Sequence, residues 1–267
     1  MIDSHAHLDD KVFDKDRDDV VLRARQAGLE AIICVYCVSA DSASVDKFAG
    51  IIGGDGFIYG AAGIHPHDAA DAHRLWKILE AALMLPGIVA LGEIGLDYHY
   101  DNSPREVQKE IFAAQLRFAR EKKLPVIIHS READEDTIAL LKENIGPQDN
   151  DGGTKGVMHC YCGSSENLKT FLEMGFYVSI AGPVTFPNAG TLRDAAASIP
   201  AQRLLMETDC PYLAPQPVRG RRNEPAYIKY TADKIAAIRG IGRQQLCSLT
   251  ADNTRALFRL GPQTGKE

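Results

Sequence analysis

Two histidines stand one residue apart near the start of the chain, in Met1-Ile2-Asp3-Ser4-His5-Ala6-His7. Successive side chains of a β-strand alternate between faces, so His5 and His7 would project together if this segment is a strand. Two neutral imidazoles on one face are part of a divalent metal site, which needs further ligands from elsewhere. By itself the pair reads equally as surface or hydrogen-bonded core histidines, because short motifs recur by chance. The missing ligands have candidates, each closing an apolar run: Glu93 after IVALG, His129 after PVII, His159 after GVM and Asp209 at the end of RLLMETD. Polar groups left unpaired at the ends of buried strands would cost about 2–7 kcal/mol each. One or two divalent cations would partner all six at once. Four imidazoles and two carboxylates suit Zn²⁺, Mn²⁺, Co²⁺ or Fe²⁺ by ligand type, whereas Mg²⁺ usually takes oxygen ligands and waters.

These residues need elements that bring them together. Eight strand-like runs follow one another: residues 1–7, LEAIICVY (29–36), GFIYGAAG (56–63), GIVALGEIG (87–95), LPVIIHS (124–130), TKGVMHCY (154–161), FYVSIAG (176–182) and RLLMETD (203–209). Amphipathic stretches lie between them, including residues 17–28, 73–85 and 103–123. In the last of these Ser103 is placed to cap, Pro104 suits the first turn, and Ile111, Leu116 and Ala119 share a face. Alternating buried strands and helices imply parallel β-α units, and eight of them close into an α/β fold of the (β/α)8 TIM-barrel type, a single domain over 1–267 with 261–267 as a flexible tail. Helix-like segments 224–240 and 242–260 are expected to cover its outside. An open doubly wound sheet would carry a Gly-rich phosphate loop after its first strand, and no G-x-G-x-x-G or Walker sequence is there. Active-site groups of a barrel gather at the C-terminal ends of its strands, where the six candidate ligands fall.

Composition sets limits. The chain has 267 residues, 45% of them hydrophobic and 25% charged, which is ordinary globular composition. A formal net charge of −6 disfavours gripping nucleic acid by a general basic surface, though not locally through metal ions. No apolar run approaches the roughly 20 residues of a membrane span, and the Met-Ile-Asp start lacks the form of a signal peptide. The expectation is a soluble cytoplasmic protein with no membrane association and no obligate protein partner. Cysteines 34, 37, 160, 162, 210 and 247 are read as reduced thiols. Cys34-Val-Tyr-Cys37 has redox-pair spacing but sits in an apolar run, so burial is expected. In strands, Cys160 should face away from His159 and Cys210 away from Asp209.

The sequence resembles the TatD family of metal-dependent deoxyribonucleases, within the amidohydrolase-like (β/α)8 superfamily. The resemblance is carried by DSHAHLD at 3–9, GIHPH at 63–67, GEIGLDY at 92–98, DNSPREVQ at 101–108, PVIIHSRE at 125–132, HCYCGS at 159–164, ETDCPYLAP at 207–215 and RNEP at 222–225. It implies that His5, His7 and Asp209 hold one metal, that Glu93 bridges two, and that His129 and His159 hold the second. Relatives in the wider superfamily often bridge with a carboxylated lysine, so a glutamate here tilts the reading away from cyclic-amide hydrolysis. The family often has serine where Cys162 and Cys210 stand. The resemblance further implies a Mg²⁺-dependent nuclease trimming single-stranded DNA from the 3′ end, with the choice between DNA and RNA left open.

Two metals would generate hydroxide at neutral pH and stabilise both oxygens of an in-line displacement at phosphorus. Glu93 and Asp209 are the catalytic candidates, with Asp209 placed to take a proton from the attacking water. Arg131, on the same rim as His129, and the cluster Arg219, Arg221 and Arg222 are candidates for phosphate, as an arginine fork matches its oxygens. The cluster reads equally as a solvated loop. His65 and His67 either touch a phosphate or brace the site, and Asp9 is a candidate partner to the ligands. The alternative is the same two-metal centre acting on a small amide, lactone or phosphate ester.

Overall fold

The computed structural model describes residues 1–41, 43–145 and 156–261. Its strands are β1 (Ile2–Ala6), β2 (Ala31–Cys37), β3 (Ile58–Gly63), β4 (Ile88–Asp97), β5 (Val126–Arg131), β6 (Gly156–Met158), β7 (Tyr177–Ile180) and β8 (Leu204–Met206). They form one sheet in the order β1 to β8, each strand parallel to its neighbours. Closure between first and last comes just past the strand ends: Asp209 N–H donates to the His5 carbonyl at 2.9 Å and His7 N–H to the Cys210 carbonyl at 2.8 Å. The result is the (β/α)8 barrel expected from the alternation of elements. Residues 154–155 of the sixth expected strand and 262–267 of the expected tail lie outside the described residues.

Helices α1 (Arg17–Gln26), α2 (Ala43–Ile51), α3 (Ala72–Leu83), α4 (Arg105–Lys122), α5 (Asp134–Ile145), α6 (Ser165–Glu173) and α7 (Gly190–Ser198) alternate with the strands, and α8 (Ile228–Arg239) and α9 (Arg243–Phe258) follow β8. Their buried faces and the outward residues of the strands make one large apolar layer. The barrel interior is a second cluster, with Ile33, Val35, Ala61, Ala90, Ile127, Val157, Tyr177 and Leu205. Leu257 and Phe258 at the end of α9 join it. So α9 does not only cover the outside, as expected: its last turn meets the interior cluster, where two large apolar side chains complete the core.

Alternation along the strands stacks polar groups above this apolar floor. Ile127 is followed two residues on by His129, Val157 by His159, and Leu205 by Glu207 and Asp209. In β4 a register irregularity between Leu91 and Ile94 resets that alternation, so that Glu93 shares the inner face with Ala90. Gly95 then stands between Glu93 and Asp97 with φ +144, and a Cβ there would lie 1.9 Å from the His129 carbonyl oxygen. Only glycine lets β4 and β5 approach this closely with their polar side chains on one face.

Helix α4 holds two loops of the rim. Ser103 does not cap it as expected, since Pro104 occupies that position. The Ser103 hydroxyl instead donates to the His67 carbonyl at 2.9 Å and accepts from Ala70 N–H at 3.1 Å. Two buried glutamines on α4 each bind both backbone groups of a single residue. Gln108 accepts from Asp97 N–H at 2.8 Å and donates to its carbonyl at 3.1 Å, and Gln115 does the same for Ile64 at 2.8 and 3.0 Å.

Candidate metal centre

The strand ends bring His5, His7, Glu93, His129, His159 and Asp209 into one cluster. His5 and His7 Nε2 lie 3.1 Å apart, as the spacing of the pair required. Glu93 is buried and its two oxygens face different partners. Oε2 lies 3.4 Å from His5 Nε2 and 3.8 Å from His7 Nε2. Oε1 lies 2.8 Å from His129 Nδ1, 3.6 Å from His159 Nε2 and 3.7 Å from His65 Nε2. Asp209 Oδ1 faces His7 at 3.4 Å and both His5 and His159 at 3.8 Å.

Several observations test whether cations fit here. Three groups of donor atoms each converge within 4.8 Å: His5 with His7 and Glu93, His5 with His159 and Asp209, and His65 with Glu93 and His129. His7 Nδ1 lies 2.9 Å from the Val35 carbonyl, which can only accept, so Nδ1 carries a proton and Nε2 is the nitrogen turned to the cluster. His5 Nδ1 is buried and, among the described residues, has no hydrogen-bond partner. Burial alone would raise the Glu93 carboxyl, but the His159 charge and hydrogen bonds from His129, His5 and His65 hold it well below the carboxylate range. Burial would lower His159, yet the Glu207 and Glu93 carboxylates push it up to about 10. His129 likewise is raised to about 8 by Asp97 and Glu93 against burial. The exceptions are His5, lowered by burial and then by the charge of His159, and His65, lowered chiefly by burial. Ionised carboxylates and proton-holding imidazoles together mark a cavity that favours positive charge, and the donor set fits divalent cations.

Three further residues support the cluster. The buried Asp97 Oδ2 lies 2.9 Å from His67 Nε2 and 3.2 Å from His129 Nε2. Glu207 Oε1 lies 2.9 Å from His159 Nδ1 and accepts the Cys160 N–H at 2.6 Å. Both carboxylates stand at alternate positions to a candidate ligand, E-x-G-x-D in 93–97 and E-x-D in 207–209, the parity that puts side chains on one face of a strand. Cys37 lines the cavity beside His7, and burial pushes its thiol up to about 11.

Three expectations about thiols and arginines need correction. Cys34 is buried as expected, but a three-residue offset in a strand places Cys37 on the other face, in the cavity. Cys160 does not face away from His159: β6 ends at Met158, Cys160 has φ +45, and its Sγ lies within 4.8 Å of ligand atoms of His159 and Glu207. Cys210 does pack in the apolar layer. Arg222 is not among the residues lining the cavity. Asp16 holds its fork at 2.8 and 2.7 Å, and its guanidinium lies 4.6 Å over the Phe13 ring. Arg219 lies 3.9 Å over Phe186. Arg131, His65 and Asp9 line the cavity, and so does Cys162, which is exposed rather than packed.

The sequence model of the TatD-related DNase family matches residues 2–259. The chain belongs to the TatD family. It is 42% identical over 264 residues to YabD of Bacillus subtilis (strain 168), named an uncharacterised metal-dependent hydrolase, with 97% of this chain and 99% of that protein covered. It is 39% identical over 267 residues to the 3′-5′ ssDNA/RNA exonuclease TatD of Rahnella sp. strain Y9602, covering 97% and 98%. The crystal structure of YjjV, a TatD homologue from Escherichia coli K12, superposes with a TM-score of 0.85 at 30% identity over 98% of each chain. No described helix is long and apolar enough to cross a membrane.

Proposed function

We propose that this metal-dependent hydrolase cleaves phosphodiester bonds of nucleic acid, as a 3′-5′ exonuclease on single-stranded DNA that also accepts RNA. The observation that carries the reading is Glu93. Its Oε2 turns to His5 and His7 and its Oε1 to His129, His159 and His65, the arrangement of a carboxylate shared by two cations. His5, His7 and Asp209 would hold one cation, His129 and His159 the other, and Glu93 both. The cations would supply hydroxide near neutral pH and stabilise the attacking and leaving oxygens. Mg²⁺ is the proposed activating ion, and the imidazoles also suit Zn²⁺, Mn²⁺, Co²⁺ or Fe²⁺.

The chain's own groups do the rest. Burial would raise Asp209, but the hydrogen bond from His7 and the charges of His159 and His5 keep it low, so it is ionised at neutral pH and able to take a proton from water. Arg131 is the Lys or Arg among the lining residues and is placed to bind a phosphate oxygen. The relatives named as ssDNA/RNA exonucleases support the substrate, and the proposed location is the cytoplasm.

The test is a panel assay of metal-reconstituted protein on 3′-labelled single-stranded DNA and RNA beside lactones, cyclic amides and phosphate monoesters. Release of nucleotides from the 3′ end is expected, and Glu93→Ala should lower kcat at least 1,000-fold (roughly 4 kcal/mol of barrier) while its circular dichroism stays that of the parent. Turnover of small esters or amides alone would end the nuclease reading.

A further inference from the structure

Two exposed tyrosines stand in the lining of the cavity outside the cluster of ligands. Tyr100 is 55% and Tyr212 54% exposed. Each lies three residues beyond a carboxylate of the site, in Asp97-Tyr98-His99-Tyr100 and Asp209-Cys210-Pro211-Tyr212. Each backbone N–H is tied to that residue, Tyr100 to Asp97 Oδ1 and Tyr212 to the Asp209 carbonyl, both at 2.9 Å. The rings are held as well. Tyr212 meets His7 edge-on at 5.9 Å, and its hydroxyl donates to Asp10 at 3.3 Å. Tyr100 meets His67 edge-on at 5.4 Å and carries the Arg131 guanidinium 4.8 Å from its ring centre.

Topology sets the two rings apart. Tyr100 follows β4 and Tyr212 follows β8, and in a ring of eight strands closed between β1 and β8 these are four places apart, on opposite walls. The metal ligands therefore lie between two exposed aromatic rings fixed to the same loops that carry Asp97 and Asp209. The charges of the lining point the same way. Against Arg131 it sets Asp9, Asp10 and Asp68 besides the carboxylates of the cluster, so the backbone of a nucleic acid finds little general attraction there. Recognition of a strand must draw on the bases, and an exposed, rigid aromatic ring is what a base stacks on.

We infer that Tyr100 and Tyr212 are the base-stacking positions on either side of the scissile phosphodiester, so that the substrate is a strand whose bases are unpaired on both sides of the bond cleaved. The inference rests on the nuclease reading above. Arg131, against Tyr100, pairs a cation with the ring and so reaches the phosphate next to the base stacked there. A paired duplex offers no free base faces to two opposed rings and is excluded until its end frays.

The test uses thymidine oligonucleotides, intact or with one abasic nucleotide on either side of the cleaved bond, and the metal-reconstituted enzyme with Tyr100 or Tyr212 changed to Ala or Phe. Each Tyr→Ala change should raise KM on the intact strand roughly tenfold or more, have little further effect on the strand abasic at its own position, and be reversed by Tyr→Phe. Equal losses on intact and abasic strands, carried in kcat, would assign the rings to bracing His7 and His67 and overturn the proposal. Loss of binding is read separately, by fluorescence anisotropy of the same oligonucleotides on Glu93→Gln. Base-dependent binding without any turnover by the parent enzyme would sink the nuclease reading and leave the stacking assignment standing. Turnover with base-independent binding would do the reverse.

Discussion

At the scale of single residues, the cluster is held by groups that do not themselves face all of it. Glu207 is the clearest: buried, 2.9 Å from His159 Nδ1, and tied to the Cys160 amide, it fixes which nitrogen of His159 points inward. Glu207→Gln should therefore weaken metal binding about 10- to 100-fold in a Mn²⁺ titration followed by calorimetry, with the circular dichroism unchanged. An affinity equal to the parent's would remove His159 from the ligand set proposed here. Of the six candidate ligands, His5 and His7 were legible from their spacing and the other four because each closes an apolar run, a contrast visible in one dimension. Asp97 and Glu207 were harder to see because each shares its strand end with a candidate ligand four or two positions away, and Cys37 because only strand register decides the parity of the apolar stretch before it. Arg222 misled for the opposite reason. Its type suits phosphate, but its partner Asp16 is 206 positions away, and no local pattern announces such a pair.

At the scale of elements, strands and helices followed hydrophobic periodicity closely, while their exact ends followed contacts the periodicity does not contain. Ser103 has the side chain of a cap, yet it ties the 66–71 turn to α4, because the loop behind it places the His67 carbonyl within reach. Gln108 and Gln115 look like solvent-face residues of an amphipathic helix, and both are buried because each replaces the two strand-end hydrogen bonds that a neighbouring strand does not supply. The Asp16–Arg222 pair joins the segment before α1 to the segment after β8. Arg222, then Arg23, keeps the Asp16 carboxyl below its ordinary 3.8. A carboxyl depressed on folding contributes stability above its unfolded value and loses it as pH falls through the folded one. The urea midpoint of the parent should thus exceed that of Asp16→Asn at pH 6, and the difference should shrink steadily below pH about 4. A difference independent of pH between 6 and 3 would show that the pair's charge plays no part. Both groups are about a third exposed, so the effect is modest and falls with salt.

At the scale of the molecule, eight β-α units were readable from their alternation, but the role of α9 was not, because nothing in its own periodicity distinguishes a helix laid on the barrel from one whose end meets the interior. Leu257 and Phe258 among the inner residues of seven strands make that distinction. Phe258→Ala should cost about 3–5 kcal/mol and lower Tm by roughly 10 °C, with KM and kcat at 20 °C close to the parent's, since the apolar floor separates it from the ligands. A Tm within a degree of the parent's would mean that α9 is dispensable to the core.

The seam between β1 and β8 has a further meaning in time. His5 and Asp209 are 204 residues apart and meet through the backbone bond from Asp209 to the His5 carbonyl. On a ribosome the first strand leaves the exit tunnel long before its last neighbour is made, and it waits with its edge unpaired until the eighth unit arrives. A chain cut short before Asp209 lacks at least one of the six proposed ligands. With Asp209 as a proposed ligand, the centre cannot be completed before about four-fifths of the 267 residues have been made, so the nascent chain is inactive until then.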